Sequence, residues 1–528
     1  MLKTSAYRRA YGQYFTPEPI VACCYMLLAG RLPPNPRIAD PACGDGAFLR
    51  YAAAHSLAAP QDLYGCDVDA ALAGALAAEG LPNVCYADGL DRVSLPEAAF
   101  DLVVGNPPFG VATASGGVQP LASEVRFLLR AIDLARLGGY IALVLPSGVL
   151  ANERLRAVRA ALLGRCTLLA AIALPRDAFR RAGTTAACSI LLLERTPATP
   201  GHHAFFALAQ DLADLPAIVD DYHDRRWTMD DGRWTTHNGR RTTDDGRTRE
   251  QPAQYGGPSV AASVAADKDE GPRTTDHGPP TTYWLPQTTA LAQRMDPHFW
   301  RPDFRLLLEH MAARHTLHPL GELLGRGGLI AGDHVRPSRG EARGPGLPYE
   351  YYQTREFMPA GYNYAAIERC DERAYRRLGR TTVRQRDILV SCAGVGGAGQ
   401  GRVCLVTHRP GPSCTGDVFI LRAARPDPAF LFLFLRSRCG RAQLLRLQNG
   451  VGTANLSADE LLQVQVPLVP PAIEQVYSAR YLPIAGAHDA AMAALARGDG
   501  ASFARQRTQS AALLAELRRD LEEMMLGG

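Results

Sequence analysis

The sequence predicts an α/β protein: a doubly wound, mainly parallel sheet of seven strands, followed by a second, mixed α/β domain. Three observations carry this. Between Arg37 and Arg195, short β-rich runs alternate with helical stretches rich in Ala and Leu. From about Tyr222 to Tyr283 the composition changes to Thr, Asp, Gly and Arg, with few aliphatic residues. From about Leu285 globular patterning resumes, and the 528 residues suffice for two or three domains.

The strand-like runs are Arg37–Asp40, Leu63–Asp67, Asn83–Tyr86, Phe100–Gly105, Tyr140–Leu145, Leu168–Leu174 and Ala187–Leu193. Helical stretches between them are Ala47–Ser56, Ala70–Glu79, Leu121–Leu137 and Asn152–Leu163. Such alternation implies parallel pairing with helical crossovers. The Tyr222–Tyr283 stretch repeats MDDGRWTT, RTTDDGR and RTTDHGP imperfectly. It has too little apolar surface to offset its ordering entropy and reads as a disordered linker or insertion. The expected domains are therefore 1–210, a linker over 211–286, and 287–528. In the last, Asp387–Ser391, Arg402–Thr407 and Asp417–Arg422 read as strands. Leu513, Leu514, Leu517, Leu521 and Met524 fall at helical spacing, so Ser502–Met525 reads as an amphipathic helix that packs on its own domain or on a partner.

Composition narrows the class. Hydrophobic residues make up 47% and charged residues 21%, a globular balance with net charge +4. Between Asp371 and Arg441 there are 13 Arg against 5 acidic residues, a local excess suited to phosphate. The only lysines are Lys3 and Lys268, so a GC-rich genome accounts for much of the arginine. Twelve cysteines are scattered with no CxxC pair, which excludes a zinc-finger framework, predicts no metal, and fits free thiols in a reducing compartment. The opening MLKTSAYRRAYGQYFTP lacks a signal peptide's apolar stretch, and no apolar run is long enough to cross a bilayer. The expected setting is cytoplasmic, without membrane.

Ile38-Ala39-Asp40-Pro41-Ala42-Cys43-Gly44-Asp45-Gly46-Ala47 reads as a strand, a glycine turn and a helix start. Glycines let backbone approach a ligand, and a helix N-terminus presents free N–H groups. Asp67 ends the next strand, 23 residues after Gly44, where a carboxylate can accept both hydrogens of a ribose diol. Asp88 ends the third, where a carboxylate can meet an adenine amino group. Each Asp could instead cap a helix. Three in register favour a nucleoside at the carboxyl edge of the sheet.

The fourth strand, Phe100–Gly105, runs into Asn106-Pro107-Pro108-Phe109. An amide oxygen from Asn106 and the backbone oxygen of Pro107 can accept the two hydrogens of an exocyclic amine. That draws its delocalised lone pair out of the ring, and two prolines hold the acceptors in place. In this motif the chain resembles the amino-methyltransferases of DNA. Its motif order resembles their gamma class, which includes type I modification subunits and single-chain type II enzymes. The resemblance covers residues 11–200 and implies a Rossmann-like methyltransferase domain using S-adenosyl-L-methionine. Asn106, Pro107, Pro108 and Phe109 would be catalytic. Thr16, Asp40, Ala42, Cys43, Gly44, Asp67, Asp88 and Asn106 would hold the cofactor. Phe109 would stack on an adenine flipped out of the duplex. Gly12-Gln13-Tyr14-Phe15-Thr16-Pro17 matches the family's segment over the methionine moiety. Phe179, before Thr184-Thr185-Ala186, matches an aromatic on the base's other face, although a core aromatic would look the same.

Four later pieces resemble the target-recognition domains of type I specificity subunits: Arg294–Pro302, Arg386–Ser391 with the glycines from Gly394 to Gly401, Thr415–Phe419, and Asn449–Ser457. They cover residues 287–475 and imply double-stranded DNA as partner. Only 11 residues precede Gly12, so any restriction endonuclease is expected on a separate subunit. Methylation of RNA or of protein glutamine is the alternative, since Asn-Pro-Pro-aromatic also serves those groups.

Overall fold

The computed structural model describes residues 15–109, 121–180, 186–224, 227–230, 233–236, 281–325, 327–332, 344, 346–378, 381–392, 402–407, 413–415, 418–423, 425–447 and 456–527. They fall into two compact units, one ending at Phe299 and the other starting at Trp300.

The first unit begins with helix α1 (Glu18–Met26), strand β1 (Ile38–Asp40), α2 (Ala47–Ala54), β2 (Leu63–Asp67), α3 (Ala70–Ala78), β3 (Asn83–Tyr86) and β4 (Phe100–Gly105). It continues with α4 (Ser123–Leu134), β5 (Ala135–Pro146), α5 (Ser147–Ala151), α6 (Arg156–Arg165), β6 (Thr167–Ala173) and β7 (Cys188–Glu194). Then follow β8 (His203–Leu208), α7 (Leu215–Asp224), a hairpin of β9 (Trp227–Asp230) and β10 (Arg233–Thr236), and β11 (Thr281–Pro286). One sheet of nine strands runs β11-β8-β6-β7-β5-β4-β1-β2-β3. All seven expected runs are in it, and the count of seven extends to nine because β8 and β11 join its edge.

Local chemistry accounts for the elements that frame the site. Ile38, Ala39 and Asp40 are buried, as a central strand covered on both faces requires. Gly46 takes a left-handed conformation, φ +75°, and ends the turn so that α2 can start. Asp69 caps α3 by accepting from the Ala71 N–H at 3.1 Å. β1 pairs in parallel with β2 on one side and β4 on the other. The chain runs outward from β1 to β3 and returns to β4, so strand order reverses beside β1. Open α/β sheets bind ligands at such a point, outside the carboxyl ends of the strands.

The sheet departs from the parallel expectation at its far half. β7 is antiparallel to both β5 and β6, and β11 is antiparallel to β8. For β6 and β7 the cause is local: the described residues between them hold no α-helix, and strands joined without a helical crossover need not run parallel. The stretch from Tyr222 to Tyr283 starts and ends inside this unit. Tyr222 and Tyr283 are buried, and Trp284 stacks on Tyr222 with ring centroids 5.7 Å apart. Its middle, 237–280, lies outside the described residues. Beyond it, Arg159 is 2% exposed and donates to the carbonyls of Val149, Asn152, Ala292 and Gln293. These bonds fasten the chain around Ala292 to the first unit.

In the second unit, strands Leu329–Ala331, Val418–Leu421, Ile388–Ser391 and Val403–Leu405 form an antiparallel sheet in that order. The expected terminal helix spans Gly500–Leu526 and packs on another, Pro471–Ala496. Leu514, Leu517, Leu521 and Met525 are buried on it. Gly394–Gly401, Gly416, Asp417 and Asn449–Asn455 lie outside the described residues. Among the described residues, no helix is long and apolar enough to cross a membrane.

Candidate active site

A pocket opens at the carboxyl ends of β1, β2, β3 and β4. Its walls include Thr16, Asp40, Ala42, Cys43, Gly44, Asp67, Asp88, Asn106 and Pro108. Residues more than 90 positions apart in the chain meet here because four strand ends converge. The glycine turn after β1 is tied to β2. Asp67 Oδ2 accepts from the Gly44 N–H at 2.8 Å, and Cys43 N–H donates to the Cys66 carbonyl at 2.9 Å. Asp67 Oδ1 accepts from Asp69 N–H at 2.8 Å. Asp67 thus holds the turn as well as facing the pocket.

Asp40 is 2% exposed and accepts from the Ala42 N–H at 3.1 Å. Burial pushes its carboxyl up to about 8; the carboxylates of Asp67 and Asp45 add to this, and the Ala42 N–H opposes it. Gly105 comes close from β4: a Cβ there would lie 2.8 Å from Asp40 Oδ1. Asn106 follows. Its Nδ2 donates to Thr16 Oγ1 at 3.1 Å, and its Oδ1 is shielded from solvent. That bond links the segment before α1 to the Asn-Pro-Pro-Phe turn.

Asp88 is exposed and its Oδ1 accepts from Leu90 N–H at 2.9 Å. Pro107 is buried beside the pocket wall rather than in it. Phe109 is partly buried against the core of the first unit. Phe179 departs from expectation. It is 1% exposed within the core, among Leu174, Ala178 and Ala186, and offers no face to a base. A loop aromatic flanked by apolar residues gains more from burial than from exposure. Gly12, Gln13, Tyr14, Thr184 and Thr185 lie outside the described residues.

Sequence reasoning missed several wall residues: Phe15, Asp45, Phe48, Val68, Gly89 and Phe127. Asp45 and Gly89 adjoin the motifs and could have been read from them. Phe127 comes from the middle of α4, where an apolar residue at helical spacing signals only a core face. Among the described residues, no group of three or more His, Cys, Asp or Glu could hold a metal ion.

Residues 2–214 match the model of the N-6 DNA Methylase family. The chain is 30% identical over 170 residues to the type II methyltransferase M.TthHB8I of Thermus thermophilus, covering 28% of this chain and 37% of that protein. It is 24% identical over 192 residues to the defense against restriction protein B of Escherichia phage P1, covering 35% of this chain and 8% of that protein. The chain thus spans well under half the length of either relative. A type I restriction-modification methyltransferase subunit from Streptococcus thermophilus is 22% identical; the match covers 40% of this chain and 53% of that one, with a TM-score of 0.34.

Proposed function

We propose, from the match of residues 2–214 to the N-6 DNA Methylase family model, that the chain methylates the N6 amine of adenine in DNA, with S-adenosylmethionine as donor. The observation that carries this reading is Asn106, held at the end of β4 in the pocket that Asp40, Asp67 and Asp88 also line. The pocket suits this donor. Its acidic wall matches a ligand with ribose hydroxyls, an adenine amine and positive charge on both sulfur and the amino group. Beside it, a Cβ at Gly44 would meet nothing within 4 Å, so the turn after β1 borders open space.

When bound, S-adenosylmethionine supplies an electrophilic methyl group on a sulfonium. The chain's residues then act on the amine. Asn106 Oδ1 and the Pro107 carbonyl accept its two hydrogens and localise the nitrogen lone pair. The Thr16 hydroxyl fixes the Asn106 amide by accepting from Nδ2, which orients Oδ1 before the base arrives. Phe109 stacks on the flipped base, a contact worth about 1–3 kcal/mol. Asp67 takes the ribose and Asp88 the adenine amine of the donor.

The second unit is proposed to read the DNA, supported by the order of its specificity-like segments and by the arginine excess. That excess is smaller in effect than its count. Arg376 pairs with Glu372, Arg386 with Asp427 and Arg422 with Asp387, while Arg436 bonds the Val403 carbonyl. A modification role beside a nuclease on another polypeptide fits the relatives' restriction setting.

The test is a transfer assay. Full-length protein is given methyl-labelled donor with duplex DNA, RNA or protein, and the products are hydrolysed. Label in N6-methyladenine from duplex DNA is expected. Label confined to RNA or to glutamine would put the alternative class in its place.

A further inference from the structure

The loop after β3 has no strand partner, yet it carries Asp88 and Gly89 to the pocket. One buried side chain gathers it. Arg130, on α4, is 5% exposed. Its Nε donates to the Gly89 carbonyl at 3.3 Å. Its Nη2 donates to the carbonyls of Leu95 at 2.8 Å, Asp91 at 3.2 Å and Arg92 at 3.4 Å. Its Nη1 donates to Glu97 Oε1 at 3.1 Å. The loop from 89 to 97 is wrapped around one guanidinium. A planar group with five donors can do this, and no other side chain has the donor count.

The loop is clamped from the opposite side too. Gly89 lies so close to the β1 turn that a Cβ there would overlap the Pro41 carbonyl oxygen. Arg130 fixes the Gly89 carbonyl, Pro41 limits its Cα, and Asp88 is the next residue. Asp88 Oδ1 is taken by the Leu90 N–H of the same loop, while Oδ2 makes no hydrogen bond among the described residues. The helix that supplies Arg130 also supplies Phe127 to the pocket wall, one turn earlier.

We propose that Arg130 is a positioning residue for donor recognition: it sets Asp88 where its carboxylate selects an adenine amine over a carbonyl at the same ring position. This rests on the reading of the pocket as an S-adenosylmethionine site. It assigns Arg130 no contact with the ligand. Without the guanidinium, the carbonyls of Gly89, Arg92 and Leu95 lose their donor, although that of Asp91 keeps the Ser94 N–H and hydroxyl, and the loop relaxes, so Asp88 no longer meets the amine squarely.

The experiment is calorimetric titration of the full-length protein with S-adenosylhomocysteine and with its inosine analogue, in which a carbonyl oxygen replaces the exocyclic amine. The wild type is expected to favour the adenine compound by about tenfold or more, since the analogue opposes a carbonyl to Asp88. In Arg130→Met the ratio is expected to fall towards one, while melting confirms a folded chain. Arg130→Lys, which keeps the charge and three donors, is expected to fall between. General destabilisation would weaken both ligands alike and leave the ratio unchanged. A wild-type ratio near one, or the wild-type ratio in Arg130→Met, overturns the inference. If Arg130→Met does not fold, Arg130→Lys decides: an intermediate ratio supports the inference and an unchanged one overturns it. If the wild type binds neither compound, the reading of the pocket fails, which is a separate outcome.

Discussion

Asp40 in the first unit and Asp387 in the second are buried to a similar degree, 2% and 3% exposed. Asp387 holds Arg422 through Nε at 2.9 Å and Nη2 at 3.0 Å, and accepts from the Arg384 N–H at 2.7 Å. Asp40 has no ion pair among the described residues, and its charged neighbours are further carboxylates. A scaffold carboxylate is buried with its cation. One buried against other acids costs the fold stability at neutral pH and is retained where a positively charged ligand can compensate. The first unit sets Asp40 at the sheet edge among the carboxylates of Asp45 and Asp67, whereas in the second Arg376, Arg386 and Arg422 are taken up in internal pairs.

The contrast has a pH signature, and the largest effect is expected at Asp40. Its folded value of about 8 lies above the free carboxyl's 3.8. Below about pH 4 both states are protonated and there is no cost. As pH rises towards 8 the unfolded chain releases a proton that the folded one keeps, so stability falls, at up to about 1.4 kcal/mol per pH unit. The full cost, on the order of 5 kcal/mol, is present above pH 8. Asp40→Asn should flatten this decline in urea unfolding followed from pH 4 to 9, and should weaken donor binding. An unchanged slope would show that Asp40 is charged in the fold.

Next in size, Arg422→Met should leave the Asp387 carboxylate buried without its cation and cost about 3–5 kcal/mol, read as a lower unfolding midpoint. If the two substitutions gave the same sign at pH 8, the comparison would break.

The smallest effect is expected at His488, 2% exposed, whose Nε2 bonds the Tyr362 carbonyl. Burial lowers its pKa from the ordinary 6.5, against that bond and Asp489, which raise it. The second unit should therefore lose stability as pH falls from about 6.5 through the lowered value, opposite in direction to the first. His488→Gln should reduce that acid-side loss by no more than a few degrees of Tm, measured by calorimetry between pH 4.5 and 7.5.

Seven of the nine strands of the large sheet were legible because buried β-rich runs announce themselves. β11 was not, since its Thr281–Pro286 run closes a stretch whose composition is that of a linker, and its place is set by packing on β8. The antiparallel course of β7 is likewise a matter of distant pairing. Asp40, Asp67, Asp88 and Asn106 stand at strand ends that their motifs mark, and they meet in one pocket. Phe179 misled because an aromatic before a strand suits a base or a core equally. Arg130 and Phe127 left no signal, because a helix shows its periodicity but not what each face meets.

The proposed role of Asn106 is tested most directly by single-turnover methyl transfer to duplex DNA by Asn106→Ala, beside equilibrium binding of S-adenosylhomocysteine. The transfer rate is expected to fall by about a hundredfold or more, as for loss of one preorganised transition-state contact. Affinity for S-adenosylhomocysteine should stay within a few-fold of wild type, because Asn106 acts mainly during reaction. A variant that transfers methyl at more than about a tenth of the wild-type rate, a loss under roughly 1.4 kcal/mol, would contradict it.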